Sequence, residues 1–304
     1  MFDALFARLA DRPALAGADA MRLFHGRGHC YPGLAMINID WFDPVLWVVI
    51  YQQLEPDDQQ QLFAGLQQLA AANPAIACVA VQFRARGARG QTVIYGALPA
   101  QCLAKEGDLQ FQLNFADNQN IGFFLDARPA RDWVRQHAAG KRVLNLFAYT
   151  CSFSVAALAG GAQSVVNIDM ARAALATGQH NHHLNGLAGR DVHFLPHDVF
   201  RSTRKLENLG PYDLVIADPP SRQKGSFEAD KDYGKLLRKL APMLAHDAQI
   251  LACLNAPYLG ADFLPQQFAA ALPACTLRER LPQREDFPEQ DADCCLKMQV
   301  FGTA

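Results

Sequence analysis

RVLNLFAYTCSFSVAALAG, residues 142–160, reads as an apolar strand that runs through a hydroxyl-bearing turn into a helix. Thr150 and Ser152 supply the hydroxyls, and Ser152 is the expected N-cap of that helix. Moving outward, the same alternation recurs. SVVNID (164–169), DVHFLP (191–196), YDLVIAD (212–218), QILACLN (249–255) and CLKMQVF (295–301) have the apolar character of strands. Helical patterns fall between most of them: ARAALATGQHNHHLN, KDYGKLLRKLAPMLA and ADFLPQQFAAAL. Regular strand–helix alternation with near-continuous apolar strands implies an α/β fold built on a parallel sheet covered on both faces. In such sheets a ligand binds beyond the carboxyl ends of the strands.

The rest of the chain bounds the problem. It has 304 residues, half of them hydrophobic, enough for one large domain or two unequal ones. A net charge of -2 is not that of a strongly basic nucleic-acid protein, although a local basic patch can still steer RNA. None of the eight cysteines is spaced as CxxC, so a zinc site or redox pair has no support. LACLNA and DCCLKMQV suggest reduced core cysteines in a cytoplasmic protein. MFDALFARLADRP reads as a short amphipathic helix rather than a signal peptide, and no apolar run is long enough to span a membrane.

The first third alternates MRLFHG, LAMINID, VLWVVIY and IACVAVQFR as strands with one helix, EPDDQQQLFAGLQQLAAAN. RARGARGQT (84–92) reads as a solvated turn, with an RNA-contacting loop as the alternative. The domain boundary is expected between 98 and 116. That gives an N-terminal α/β substrate-recognition domain over 1–105 and a larger domain over 106–304.

Three strand ends carry a ligand argument. Asn145 closes the first strand, Asp169 ends the second, and Asp198 lies just past the third. An acidic residue at the second strand end can accept hydrogen bonds from both hydroxyls of a ribose. A carboxylate or backbone group at the third can meet an adenine amino group. The first turn lacks the GxGxxG that lets a backbone approach a pyrophosphate, which disfavours a dinucleotide. S-adenosylmethionine has no phosphate and needs no such turn.

The fourth strand ends abruptly in Asp218-Pro219-Pro220-Ser221. Asp218 is thereby held at the rim of the sheet. It can accept a hydrogen bond from a planar amine or ring, while the prolines rigidify a carbonyl and offer a flat apolar surface. A structural aspartate capping a turn would explain Asp218 but not the Asp-Pro-Pro run.

NIGFFLDARPAR (120–131), the 142–162 stretch, VVNIDM, HDVF and DLVIADPPS together resemble bacterial methyltransferases that modify large-subunit ribosomal RNA. That family includes 5-methylcytosine enzymes and a related guanine-N7 enzyme. The resemblance covers roughly 106–304; RLFHGRGHCYPGLAMINID resembles the family's middle α/β domain, and the PUA-type RNA-binding domain is expected to be lacking. It implies a class I, Rossmann-like sheet of seven mostly parallel strands with an antiparallel last strand. It implies S-adenosylmethionine contacts at Phe124, Asp126 and Arg128, at Asn145, Phe147, Ala148, Tyr149 and Thr150, and at Asp169, Met170, Asp198, Val199 and Asp218. Segment 119–128 should fold over the cofactor. Asp218, Pro219, Pro220 and Asn255 form the implied catalytic group, RNA the implied partner, and no metal is implied.

Two departures matter. Cys151 stands where the family usually has glycine, and its side chain could narrow the cofactor pocket. Cytosine-C5 enzymes carry a cysteine nucleophile after the fifth strand. The matching stretch here is Leu254-Asn255-Ala256, as in the guanine-N7 relatives, which favours methylation at nitrogen. Cys253, two residues earlier, reads as a buried core thiol.

Arg222 and Lys224 flank the implied substrate mouth, whereas Lys231, Lys235, Arg238 and Lys239 read as a solvated helix face. His180, His182 and His183 close a helix and suit its C-terminal dipole as well as a metal; His25, Arg27 and His29 lie in a Gly-rich loop. Competing functions are a methyltransferase acting on a small molecule or protein side chain, a non-catalytic RNA-binding module and, last, a dehydrogenase.

Overall fold

The computed structural model describes residues 1–11, 14–85, 88–115, 120–223 and 227–303, with the backbone alone at 88 and 89. The chain divides into two compact units. One comprises Met1–Leu125 with Arg284–Asp291, the other Asp126–Gln283 with Ala292–Ala304.

The first unit opens with helix α1 (Asp3–Ala10), followed by strands β1 (Met21–His25), β2 (Ile37–Phe42) and β3 (Val45–Ile50). Helix α2 (Pro56–Ala72), strands β4 (Cys78–Ala85) and β5 (Ala88–Gly96), and the hairpin β6 (Cys102–Glu106)–β7 (Leu109–Leu113) complete it. β1 to β5 form a sheet in chain order, parallel only between β3 and β4, which α2 connects. Alternate residues Ile37, Ile39 and Trp41, with Leu46, Val48 and Ile50, pack with Leu62 and Leu66 of α2 and Leu5 of α1. Each fully buried aliphatic side chain contributes about 1.5–3 kcal/mol. The division after Leu125 falls later than the composition suggested. Phe111 of β7 stacks on Phe123 at 4.7 Å between ring centroids, which keeps the hairpin and its exit with the first unit.

The second unit holds helices α3 (Arg128–His137), α4 (Ser152–Ala159), α5 (Arg172–Leu184), α6 (Thr203–Leu209), α7 (Ala229–Leu240) and α8 (Phe263–Ala271). Its strands are β8 (Arg142–Leu146), β9 (Ser164–Ile168), β10 (Val192–Leu195), β11 (Tyr212–Ala217), the short pair β12 (Arg222–Gln223) and β13 (Phe227–Glu228), β14 (Leu244–Leu254), β15 (Cys275–Arg280) and β16 (Lys297–Thr303). The main sheet has seven strands in the order β10-β9-β8-β11-β14-β16-β15. β10 through β14 run parallel along it, and β16 is antiparallel to both neighbours. Leu144, Leu146, Val166, Ile168, Val215 and Ala217 face one core with α7. The alternate positions Asn145, Asn167 and Ile216 pair in register on the other face.

This is the α/β architecture expected, but the sequence reading missed several parts. β15 escaped because Thr276-Leu-Arg-Glu-Arg280 is charged and largely exposed, as suits an edge strand that must not recruit another chain. α3 and α6 also went unread: α3 buries Ala130, Arg131, Trp133 and Val134, a set that includes a charge. Five of the eight cysteines are buried, but Cys294 and Cys295 are only partly buried and Cys30 is exposed, so three of the eight are not core thiols.

Candidate functional site

The turn after β8 is strained. Phe147, Tyr149 and Cys151 take φ values of 55, 46 and 62°, a region costing non-glycine residues roughly 1–2 kcal/mol each. Four hydrogen bonds pin it. Ala148 N donates to Ile168 O at 3.1 Å and Cys151 N to Ala148 O at 2.7 Å. Tyr149 N donates to Asp169 Oδ2 at 2.9 Å, and Asn181 Nδ2 to Thr150 O at 2.9 Å. Ser152 is not the N-cap of α4: Cys151 holds that position, in the left-handed region, with no side-chain cap. The Cys151 side chain does not spill outward. It is fully buried beside Ala148 and Leu175, and a Cβ built on Gly178 of α5 would lie 2.4 Å from its Sγ. The sulfur therefore occupies the gap that Gly178 leaves.

Asp169, Asp198 and Asp218 follow the carboxyl ends of β9, β10 and β11, which are parallel members of one sheet. Asp169 accepts from Tyr149 N and, through Oδ1, from Ala171 N at 2.7 Å. A carboxylate has about four lone-pair sites, so it can still receive two hydroxyl donors. Met170 beside it is 52% exposed, whereas Val199 is buried. Asp198 accepts from Arg201 N at 3.0 Å.

Asp218 lies in a charge cluster. Its carboxyl is pushed up to about 7, by burial first, then by the negative charge of Asp126, with Arg131 pulling the other way. It keeps a little accessible surface but is enclosed on most sides, so loss of solvent dominates. Arg131, only 1% exposed on α3, is the site residue that the sequence reading did not single out. A fully buried arginine is rare without a partner, and the quoted NIGFFLDARPAR already contained it. Tyr233 of α7 donates its hydroxyl to Cys253 O at 3.2 Å, bringing the ends of β11 and β14 under one ring. Cys253 is fully buried, and its thiol is driven well above the ordinary range by desolvation and by Asp218 and Asp126. Arg128 pairs with Asp132 at 3.7 Å, one turn along α3. Phe124 belongs to the first unit, where it is 43% exposed.

The loops after β11 and β14 are joined. Tyr258 donates its hydroxyl to Ser221 O at 3.3 Å, and the Arg222 guanidinium lies 5.7 Å from the Tyr258 ring centroid. Asn255 is exposed in the second of these loops, and Pro219 is buried in the first. Lys297 of β16, almost fully buried, donates to Ala256 O at 3.0 Å and also to Asp293 O, fixing the backbone next to Asn255. Lys224 lies outside the described residues. On α7, Lys231 pairs with Glu228 and Lys235 with Asp232 at 2.8 Å, as a solvated face would. His182 is buried inside the unit while His180 and His183 are exposed, and the described residues contain no cluster able to hold a metal.

A seven-stranded sheet in this order, with acidic residues after three parallel strands and a glycine-poor first turn, defines a doubly wound domain built for a nucleoside without a pyrophosphate. The chain belongs to the S-adenosylmethionine-dependent methyltransferase family, whose profile matches residues 21–302. It is 37% identical over 164 residues to the ribosomal RNA large subunit methyltransferase K/L of Shewanella loihica, covering 52% of this chain and 23% of that one. The chain thus spans about a quarter of the length of that relative. Among solved structures it resembles a Streptococcus mutans protein described as a candidate S-adenosylmethionine-dependent methyltransferase, with a TM-score of 0.84, 27% identity, and coverage of 96% of this chain and 76% of that one. SMU.776, described as a candidate methyltransferase complexed with SAH, gives a TM-score of 0.81 at 26% identity with the same coverage.

Proposed function

We propose that this enzyme methylates a base of RNA, large-subunit (23S) ribosomal RNA, at a nitrogen atom. The observation that carries the nitrogen assignment is the end of β14. By the family resemblance Asn255 stands where a carbon-methylating enzyme needs a thiolate, and the neighbouring Cys253 thiol is buried and held protonated. A base nitrogen has its own lone pair and needs only orientation and proximity to the methyl group. Asp218 and the Pro219 carbonyl orient the base, with Asn255 as a further contact.

Bound S-adenosylmethionine supplies the activated methyl group. The residues proposed to hold it fit its chemistry. Asp169 has acceptor capacity left for the ribose hydroxyls, Asp198 and Val199 border the adenine end, and Met170 offers an apolar surface. Asn145, Phe147, Ala148, Tyr149 and Thr150 would line the turn toward the amino-acid end, with Asp126 and Arg128 from the preceding segment. Nothing at the first turn is built for phosphate.

The RNA assignment is supported by the Shewanella loihica relative, which is named as an enzyme of ribosomal RNA. In the first unit, the exposed Arg27 guanidinium lies 4.4 Å from the Tyr51 ring centroid and that of Arg84 lies 5.7 Å from it. Cations beside an aromatic ring suit both phosphates and unstacked bases. The sequence domain 1–105 is accordingly read as the substrate-recognition part.

The test is transfer of labelled methyl from S-adenosylmethionine to ribosomal RNA of a strain lacking the gene, with the modified nucleotide mapped by mass spectrometry. Label at a base nitrogen is expected. Label at a cytosine carbon overturns the nitrogen assignment. Absence of label in RNA, with label in a small molecule or protein, overturns the RNA assignment.

A further inference from the structure

A buried chain of hydrogen bonds ends on Asn145, and it runs in one direction only. His182 Nδ1 lies 2.6 Å from Gly178 O. A carbonyl can only accept, so Nδ1 carries the proton and Nε2 is an acceptor. Ser154 Oγ, 2.9 Å from Nε2, must therefore donate to it. The serine lone pairs then accept from Asn167 Nδ2 at 3.0 Å, while the other hydrogen of that amide reaches His193 O at 3.4 Å. With both of its donors used in this way, Asn167 turns Oδ1 toward Asn145 Nδ2, at 2.9 Å. All four side chains are at most 2% exposed.

The consequence is an amide with no choice of orientation. Asn145 spends its nitrogen on Asn167 and presents its oxygen, and that buried oxygen has no hydrogen-bond partner among the described residues. Native structures satisfy nearly all buried polar atoms, so an orphan at the carboxyl end of β8 marks a place for a donor from outside the chain. Burial lowers the His182 pKa, which keeps the imidazole neutral and the chain's direction intact.

We propose that Asn167, Ser154 and His182 are positioning residues that hold Asn145 as a hydrogen-bond acceptor for the α-ammonium group of S-adenosylmethionine; this rests on the cofactor reading above. An ammonium can only donate and a carboxylate can only accept, so the fixed polarity decides which end of the amino-acid moiety docks against β8.

The test compares the affinity of S-adenosylhomocysteine with that of its analogue in which hydrogen replaces the α-amino group, by calorimetry. The unsubstituted protein is expected to favour the amino compound by about tenfold or more. Asn145→Leu should abolish that preference and Asn167→Leu should reduce it strongly. The double variant should be no worse than Asn145→Leu alone, because the two act as one unit. Ser154→Ala should weaken the preference and Ser154→Thr, which retains a hydroxyl, should keep it. If Asn167→Leu does not fold, the Ser154 pair decides. An unchanged preference in folded Asn167→Leu, or in Ser154→Ala, overturns the positioning role. Equal binding of both compounds by the unsubstituted protein overturns the ammonium contact yet leaves the cofactor reading standing. Binding of neither compound overturns the cofactor reading itself.

Discussion

Replacing Asp218 by asparagine keeps the shape of the side chain and removes its charge, which separates two effects. As a contact to the acceptor base, its loss should lower turnover by about a hundredfold or more while S-adenosylmethionine affinity changes little. Parallel losses in both would identify Asp218 as a cofactor or structural residue instead. The second effect is on stability. The folded carboxyl titrates near 7 and the unfolded one near 3.8, so between these values the folded chain binds more protons. The contribution of Asp218 therefore weakens the fold as pH rises from about 4 to 7. Asp218→Asn should melt close to the parent at pH 4 and a few degrees higher at pH 8, read by thermal scans at both values. An advantage that shrinks toward pH 8 would contradict the elevated carboxyl. Cys253 supplies the complementary residue-scale case. Its protonated, enclosed thiol has no part in direct transfer to nitrogen, so Cys253→Ser should retain activity within about threefold. A folded but inactive variant would return the enzyme to carbon methylation.

At the scale of elements, the junction of β8 and α4 depends on α5. Cys151 carries a sulfur at a left-handed position only because Gly178 has no Cβ to meet it. Gly178→Ala alone should destabilise by about 1–3 kcal/mol, since its Cβ would fall 2.4 Å from Cys151 Sγ. Cys151→Gly alone trades buried sulfur for relief of strain and should be nearly neutral. Together, the nearest atom to the new methyl, the Cys151 sulfur, and the Cβ behind it are gone, the next is the Thr150 carbonyl carbon at 3.3 Å, and most of the loss should be recovered. Denaturant unfolding of the four proteins measures the coupling, and simple additivity would show that the two residues do not share this space. The sequence could announce the strand, the turn and the helix here, because apolar periodicity and abrupt termination are local. It could not announce the Gly178 gap, nor that Ser152 would lose the cap to Cys151, since both depend on an element some 20 residues on. The same divide runs through the site. Asp169 and Asp218 were legible as strand-end acids. Arg131 was hidden within a charged stretch whose burial only tertiary packing decides, and β15 was hidden by edge-strand charges.

At the scale of the molecule, the chain leaves the first unit after Leu125 and returns to it for residues 284–291 before finishing in the second. That return supplies side chains the first unit lacks. Asp286 accepts from Arg22 N at 2.8 Å, Phe287 lies under the Arg22 guanidinium at 4.4 Å, and Glu289 Oε1 is 3.0 Å from His25 Nε2. Arg22 Nη1 approaches the other His25 nitrogen, Nδ1, at 2.5 Å, and a guanidinium can only donate. His25 must then be the neutral tautomer with its proton on Nε2, donated to Glu289. Burial and the charges of Arg22 and Arg27 take its pKa down to about 3. Between 6.5 and 3 the unfolded histidine binds a proton that the folded one refuses, so this contribution is lost as pH falls through that window. The raised carboxyl of Glu289 acts in the opposite sense, but the displacement of His25 spans more than three pH units and dominates. His25→Gln keeps an amide able to reach Glu289 and removes the titration. Relative to the parent, this variant should gain about 1.4 kcal/mol for each pH unit below 6.5, down toward pH 4. Hydrogen exchange of the β1 and β2 amides, compared at matched pH so that intrinsic rates cancel, reads the difference where it arises. A gap that stays constant from pH 7 to pH 4 would mean that His25 titrates normally and that residues 284–291 do not enforce its neutral form.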